Sequence, residues 1–490
     1  MSHIALIYYP GATAKSSSVV ASVVADARDE GHEVTVLDIS AFTVINQALP
    51  PRWVCRLLGH DAPEDALENE LQSLGARILS VTRRDQELDL TPGEIEQVDT
   101  AITSELLTYF RTDNLAETGA RGRRLRRQLR EQSEQTFAAL VTTFQELSLD
   151  RVLIPNGRTS RQRVARVCAE RLGIPYQLYE NGRALADTYY LGSTQPHDRI
   201  ASQKEVASLT QTLTSQEITT LAQSFLASRI SPGKGSNQYS ASWAREKVTS
   251  DSASELPLAS FFPSSFDEFL AFGDMWHIDE WTEQFEAFDI IMSHLEDLGY
   301  RLEMRLHPNL GNKSRKYFRR EVSQVKKLTT RHPQLVVHWH NSPQNSYDLV
   351  RRSLLVFVER STVGLEASLM GKPVWVSQAA QWDQIADIRA LLKPSDIVRS
   401  ALEPWTVDIT GAERFAAYWV MQERPLRYSW KNWATWNPEA APLALRIANL
   451  FTRNTVAHKI HLLKVQWDSA LNQKHRAPVR SSAGRLGLDS

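Results

Sequence analysis

The chain alternates, twice over, between short apolar runs and segments of helical period, and that rhythm restricts it to few folds. "HIALIYYPG" reads as a strand closed by a Pro-Gly turn, "AKSSSVVASVVADARDEGH" as a helix ending at Gly31, and "EVTVLDIS" as the next strand. Strands joined through helices of this length need crossover connections, so they lie parallel in a sheet covered on both faces. Residues from about 50 to 147 are mostly helical in pattern, and the rhythm resumes at "DRVLIPNGR" and "IPYQLYENG". A stretch rich in Ser, Gly and charge, "ISPGKGSNQYSASWAREKVTSDSASE", reads as a linker. Beyond it the alternation restarts with the strands "PLASFFPSS", "RLEMRLHP", "QLVVHWH", "LLVFVERS" and "KPVWVSQ", each separated by a helix. The expectation is an α/β chain of two doubly wound parallel sheets facing a cleft. Its units are residues 1–235, 255–400, a helical segment 401–470 that packs back, and an unstructured tail at 471–490.

At 490 residues the chain is too long for a single ordinary core. Its net charge of −1 gives no global reason to bind nucleic acid. Two cysteines, Cys55 and Cys168, exclude a disulfide framework and suit a reducing cytoplasm. The apolar run at the N-terminus has no basic leader, and no stretch reaches the roughly 18 apolar residues of a membrane span. The arginine-rich run Arg121–Arg130 suggests peripheral attachment to an anionic membrane face or an acidic polysaccharide. Its simpler explanation is a solvated helix face, since acids follow at Glu131 and Glu134. The early "PGATAKSSS" segment lacks the spacing of a phosphate loop and is expected only to face the cleft.

Ligands of such sheets bind outside the carboxyl ends of the strands. There, "RLEMRLHP" delivers Arg305 and His307, the latter followed by Pro308. "VERSTVGLEASLMGKPVWV" delivers Ser361 and Thr362 at the start of a helix, with Gly364 leaving room for close approach. Guanidinium, imidazole, hydroxyls and a helix N-terminus in one cleft form a candidate phosphate site. Taken singly, a His-Pro strand end is usually structural and a Ser-Thr pair usually only a cap.

"RLHP" followed by "NSPQNSYDLVRRSLLVFVERSTVGLEASLMGKPVWV" resembles the C-terminal half of bacterial capsule-polysaccharide synthesis proteins. These are similar to the two-Rossmann-domain (GT-B) glycosyltransferases that include Kdo transferases and bacterial sialyl- and polysialyltransferases. "FFPSSFDEFLAFGDMWHIDEWTEQ" resembles the entry to that half, and the likeness spans roughly residues 150 to 380. It implies that His307 with Pro308, and Ser361 with Thr362, hold the phosphate of a nucleotide-activated sugar. It implies a base in the first domain at the place of "YENG", which is Glu180, with Asn181 where the family carries a second acid. Asp187 and Glu170 are rivals for that role. "PNGRTSRQRVARV" resembles the Asn-Gly-Arg turn of the same proteins, which makes Asn156, Gly157 and Arg158 candidate donor or acceptor contacts. Glu366 stands seven residues after Glu359, one short of a glutamate pair in some retaining enzymes, and either contacts a ribose or caps a packing face. The tryptophans read as core, with Trp382, just after a strand end, a candidate to stack on a base or sugar.

The implied activity is a metal-independent, inverting transfer from a nucleotide sugar, expected to be CMP-linked, onto a surface-polysaccharide or glycolipid acceptor. No cofactor is expected beyond that co-substrate, and the expected location is the bacterial cytoplasm, peripheral at the inner membrane face. The alternatives are a teichoic-acid-type polyol-phosphate transferase, a nucleotide-sugar epimerase, or a non-catalytic binding or assembly protein of the same fold.

Overall fold

A computed structural model describes residues 2–8, 14–42, 63–84, 88–230, 256–273, 276, 281, 285–385, 387–428 and 456–474. The expected linker beyond Ile230, most of the Pro-Gly loop after the first strand, and Trp430, Trp433 and Trp436 lie outside them.

The first sheet contains β1 (His3–Tyr8), β2 (Glu33–Asp38), β3 (Arg77–Ser80), β4 (Arg151–Pro155), β5 (Tyr176–Asn181) and β6 (Thr188–Gly192). The second contains β7 (Leu258–Phe262), β8 (Arg301–Arg305), β9 (Val336–His338), β10 (Leu355–Val358), β11 (Val374–Val376) and β12 (Ile388–Ala390). A last strand, β13 (Glu423–Pro425), returns to the edge of the first sheet. The orders are β13-β6-β5-β4-β1-β2-β3 and β12-β11-β10-β7-β8-β9. Both sheets therefore step outward from their first strand to one side, then reverse to the other, as doubly wound nucleotide-binding sheets do. Every pairing in the second sheet is parallel; in the first, β6 and β13 add antiparallel edges. The chain is thus α/β with two Rossmann-like domains, as its rhythm predicts.

The apolar runs are buried on both faces, which is why they read as continuous rather than alternating. In β1, Ala5 and Ile7 join one core cluster while Ile4 and Leu6 join the other. In β10, Leu355 and Phe357 face one layer and Val356 and Val358 the opposite one. Phe261, Phe357 and Trp375 stack across neighbouring strands at 5.0 and 4.7 Å between ring centres.

The two halves exchange elements. Helix Ser215–Ile230 precedes the linker, yet Ala222 and Phe225 belong to the core of the second sheet. Helix Thr410–Met421 packs on it through Trp419, 5.7 Å from Phe225, and leads directly into β13. A final helix, Val456–Gln473, bridges Tyr109 of the first half and the loop at 312–315 of the second. It runs three residues into the stretch expected to be an unstructured tail. The stretch "SQKEVASLTQTLTSQEITTLAQSFLASR", residues 202–229, reads as helical and forms two helices, Arg199–Thr210 and Ser215–Ile230, because Thr214 and Glu217 cap a new start.

Candidate functional site

The strand order of the second sheet reverses between β7 and β10, so its crevice opens where those two strands end. The loops there are tied together. Ser264 N–H donates to Glu359 Oε2 at 2.7 Å, and Arg360 N–H donates to Ser264 Oγ at 3.2 Å. Ser265 Oγ lies 3.2 Å from His307 Nδ1, which also accepts the Asn309 N–H at 3.1 Å. His307 is the N-cap of a short 3-10 turn, Pro308–Asn312, and Pro308 at the first position of that turn fixes the direction of exit. With Nδ1 accepting a backbone N–H, the neutral ring carries its proton on Nε2. Burial pushes the imidazole down to about 4, against the pull of Glu268. At neutral pH His307 is therefore an uncharged donor.

Beneath it lies a buried charge cluster. Lys313, 3% exposed, pairs with Asp267 at 2.8 Å and Glu268 at 3.0 Å. Burial works against its charge, but Glu268 and Asp267 together hold the ammonium above its ordinary value. Arg360 is buried as well, donating to Trp276 O at 2.8 Å and Gln378 Oε1 at 2.9 Å and lying over the Phe269 ring at 4.9 Å. Glu321, near Glu359, is raised by burial and by that second carboxylate to about 8.

Several residues expected to meet a donor are turned inward. Arg305, 3% exposed, donates to Trp339 O, Ser342 O and His338 O, so its guanidinium closes the end of β8 rather than reaching a phosphate. Gly364 makes room for protein, not ligand. A Cβ there would stand 2.3 Å from the ring of Trp382, which is itself 2% exposed and no platform for a base. Glu366 is buried, accepting from Arg229 Nε at 2.7 Å and from Tyr347 Oη at 3.0 Å. Arg229 also donates to Thr362 Oγ1 at 3.1 Å. Of the two hydroxyls expected at this helix start, Thr362 is thus engaged within the protein. The Ser361 hydroxyl accepts a long 3.4 Å contact from Val363 N–H.

The first sheet reverses between β1 and β4, which places the Asn156–Arg158 turn at its crevice. Asn156 and Gly157 both take left-handed backbone angles, φ 48° and 76°. Asn is among the few side chains that tolerate this conformation, and Gly is the least strained there. The turn aims Asn156 Nδ2 at Glu180 Oε2, 2.7 Å away. Burial raises the Glu180 carboxyl above its ordinary value, although Arg158, Asn156 and Arg183 all oppose it. His197 lies 3.9 Å from the same oxygen. Its imidazole is pushed well down by burial, with Arg183 and Arg158 adding to the effect. Among the rivals, Glu170 is tied to Arg166 on the outer helix at 2.7 Å, and Asp187 sits in a left-handed turn whose carbonyl pairs with Leu426.

The two crevices meet through Phe272. His197 stacks on its ring at 4.3 Å, and the Arg158 guanidinium lies 5.1 Å from the same ring. Trp276 Nε1 then donates to His197 O at 3.0 Å. Glu180, Asn156, Arg158 and His197 are therefore one group, and His307, Ser264, Ser265 and Glu359 another, joined by the segment that follows β7. Sequence reasoning missed His197, Ser264, Ser265, Arg360 and Lys313, and it weighed Glu359 only as half of a glutamate pair. Ser264 and Ser265 stand in the "PSS" that ends the apolar run of β7, and that strand-end position is their signal; His197 has no local signal. The arginine-rich run lies on helix Gly119–Leu147, with Arg126 donating to Thr103 at 3.1 Å and Arg130 paired with Asp99 and Glu134.

No protein-family model and no curated protein matches the chain. Solved structures that share features of its fold include a Thermosulfurimonas dismutans KpsC beta Kdo 2,4 transferase, with 13% identity, 55% of this chain and 79% of that one covered, and a TM-score of 0.35. The UDP-GlcNAc 2-epimerase of Neisseria meningitidis bound to UDP-GlcNAc shows 10% identity, 85% and 97% coverage, and a TM-score of 0.32. The calicheamicin glycosyltransferase CalG4 shows 11% identity, 98% and 100% coverage, and a TM-score of 0.26. Likeness at this level assigns neither activity nor substrate to this chain.

Proposed function

We propose that the chain is a glycosyltransferase that moves a sugar from a nucleotide-activated donor, expected to be CMP-linked, onto a surface-polysaccharide or glycolipid acceptor in the bacterial cytoplasm. The observation that carries this reading is Glu180. It is a carboxyl of raised pKa held by Asn156 at one strand-end crevice, and Phe272 joins that crevice to a second one built of neutral donors. In the proposed inverting step Glu180 takes the proton of the acceptor hydroxyl as its oxygen attacks the anomeric carbon. The bond from that carbon to the phosphate oxygen breaks, and the charge on the leaving nucleotide is met by His307 Nε2–H with the hydroxyls of Ser265 and Ser361. Arg158 and His197 border Glu180 and are placed to orient the acceptor.

The competing reading is a non-catalytic nucleotide- or glycan-binding protein. The internal engagement of Arg305, Glu366 and Thr362, together with Asn181 in the place of a second acid, favours it. Turnover separates the two. The chain is incubated with CMP-, UDP- and GDP-sugars and candidate acceptors, and nucleotide release is followed. Glu180→Gln is expected to lower turnover by about 10²–10⁴-fold while leaving nucleotide affinity unchanged. Full turnover in both Glu180→Gln and His307→Ala would sink the assignment. Nucleotide binding without turnover in the parent would establish the competing reading.

A further inference from the structure

In helix Val456–Gln473 the described side chains, His461 and those from Leu463 onward, carry their polarity inside out. Those tied to the protein are polar. His461 is 5% exposed, stacks on Tyr109 at 4.0 Å and hydrogen-bonds its carbonyl at 2.9 Å. Asp468 accepts the Arg315 N–H at 3.1 Å, and Asn472 exchanges bonds with Lys313 O and Arg315 at 3.0 and 2.6 Å. One outward stripe is apolar, bordered by the exposed Lys464, Gln466 and Gln473. Leu463, Trp467 and Leu471 are 57%, 67% and 38% exposed, at the four-residue spacing that aligns side chains in one ridge. Polar ties to both halves of the molecule thus hold an apolar ridge out in solvent.

Charge accompanies the ridge. By helical period the exposed Lys464 lies between the ridge and the inner face. It there borders a cavity of about 200 Å³ at the junction of the two halves and this helix. Arg111, Arg121, Lys316 and Lys464 line that cavity, against the acids Glu117 and Asp468. Arg121 belongs to the arginine-rich helix, whose Arg123, Arg124 and Arg127 are exposed. Among the described residues no helix is long and apolar enough to cross a membrane, so the ridge is not part of a span.

We propose that the ridge Leu463–Trp467–Leu471 inserts into the interface of an anionic lipid bilayer, with the basic cavity at its edge receiving a lipid phosphate. Tryptophan and leucine on one helix face, bordered by cations, are what such an interface selects. Each basic residue near an anionic surface adds about 1 kcal/mol of attraction, or roughly fivefold in affinity. The inference does not depend on sugar transfer, and its test reads binding alone.

The full chain is sedimented with phosphatidylcholine vesicles and with vesicles containing one part phosphatidylglycerol to two of phosphatidylcholine. Two variants are compared, Leu463→Ser/Trp467→Ser/Leu471→Ser and Lys316→Glu/Lys464→Glu. The parent is expected to pellet only with the anionic vesicles. The ridge variant is expected to stay in the supernatant, and the lysine variant to bind about tenfold or more weakly. Failure of the parent to bind, or equal binding by parent and ridge variant, would overturn the proposal. So would a parent dimer that the ridge variant converts to monomer, since a second copy would then cover the ridge. A fall of several degrees in Tm of the lipid-free ridge variant would also overturn it, by showing that the chain itself covers these residues.

Discussion

The two sheets share one strand order but build their crevices by opposite means. In the second sheet the switch-point loops are braced from below by buried charge: Lys313 with Asp267 and Glu268, and Arg360 under two rings. In the first, a left-handed turn at Asn156 and Gly157 aims side chains at Glu180, and the brace comes from a distant segment. That brace is Glu423 of β13. Its carboxylate accepts the N–H groups of Arg183, Ala184 and Leu185 and the hydroxyl of Thr188. A crevice braced within its own domain is preorganised once that domain has folded. A crevice braced by a strand more than 200 residues away depends on the whole chain being folded.

The contrast is broken most severely at Lys313. Lys313→Met leaves the buried Asp267 without its cation, and is expected to cost about 3–5 kcal/mol in urea unfolding. Glu423→Ala strips three backbone donors and a hydroxyl of their acceptor. It is expected to cost about 2–3 kcal/mol and to loosen the Glu180 loop, read as faster amide exchange at residues 183–185. The same exchange at residues 264–265 is expected to be unchanged, since the second crevice does not use β13. Gly364→Ala forces a methyl into Trp382 and is expected to cost about 1–3 kcal/mol. pH acts through Glu321, the buried carboxyl near Glu359. Glu321 holds its proton in the folded chain up to about 8, above the ordinary carboxyl value, so the fold loses stability as pH rises toward 8. Glu321→Gln removes that dependence: the gap in Tm between variant and parent is expected to widen from pH 5 to 8 and stay level beyond.

Much of this architecture was legible because doubly wound sheets write themselves as buried apolar runs between helices. Elements without such runs were not. β3 is the edge strand Arg77-Ile-Leu-Ser80, with no residue fully buried, and it vanished into a region of helical pattern. β13 is Glu-Arg-Pro, which has strand geometry only because β6 offers it an edge. At the site, residues at strand ends could be read from position, and His307, Ser361 and Glu180 do lie at strand ends. What position could not tell is which way a side chain turns. Arg305 and Trp382 lie as close in sequence to their strand ends, yet packing and backbone carbonyls claim them. His197 is drawn to Glu180 by folding alone, 17 residues on and through a ring from the other half.

If the crevice between β7 and β10 binds a nucleotide through His307, a thermal-shift screen of the purified chain against CMP, CDP, UDP, GDP and TDP, repeated with His307→Ala, will show it. A ligand that binds the folded state raises Tm by mass action, by about 2.7 kcal/mol of stabilisation at a hundredfold excess over Kd. The expected result is a shift with one nucleotide family that disappears in His307→Ala while the ligand-free Tm of the variant remains measurable. No shift with any of the five, or a shift that His307→Ala leaves intact, would show that His307 holds no nucleotide there.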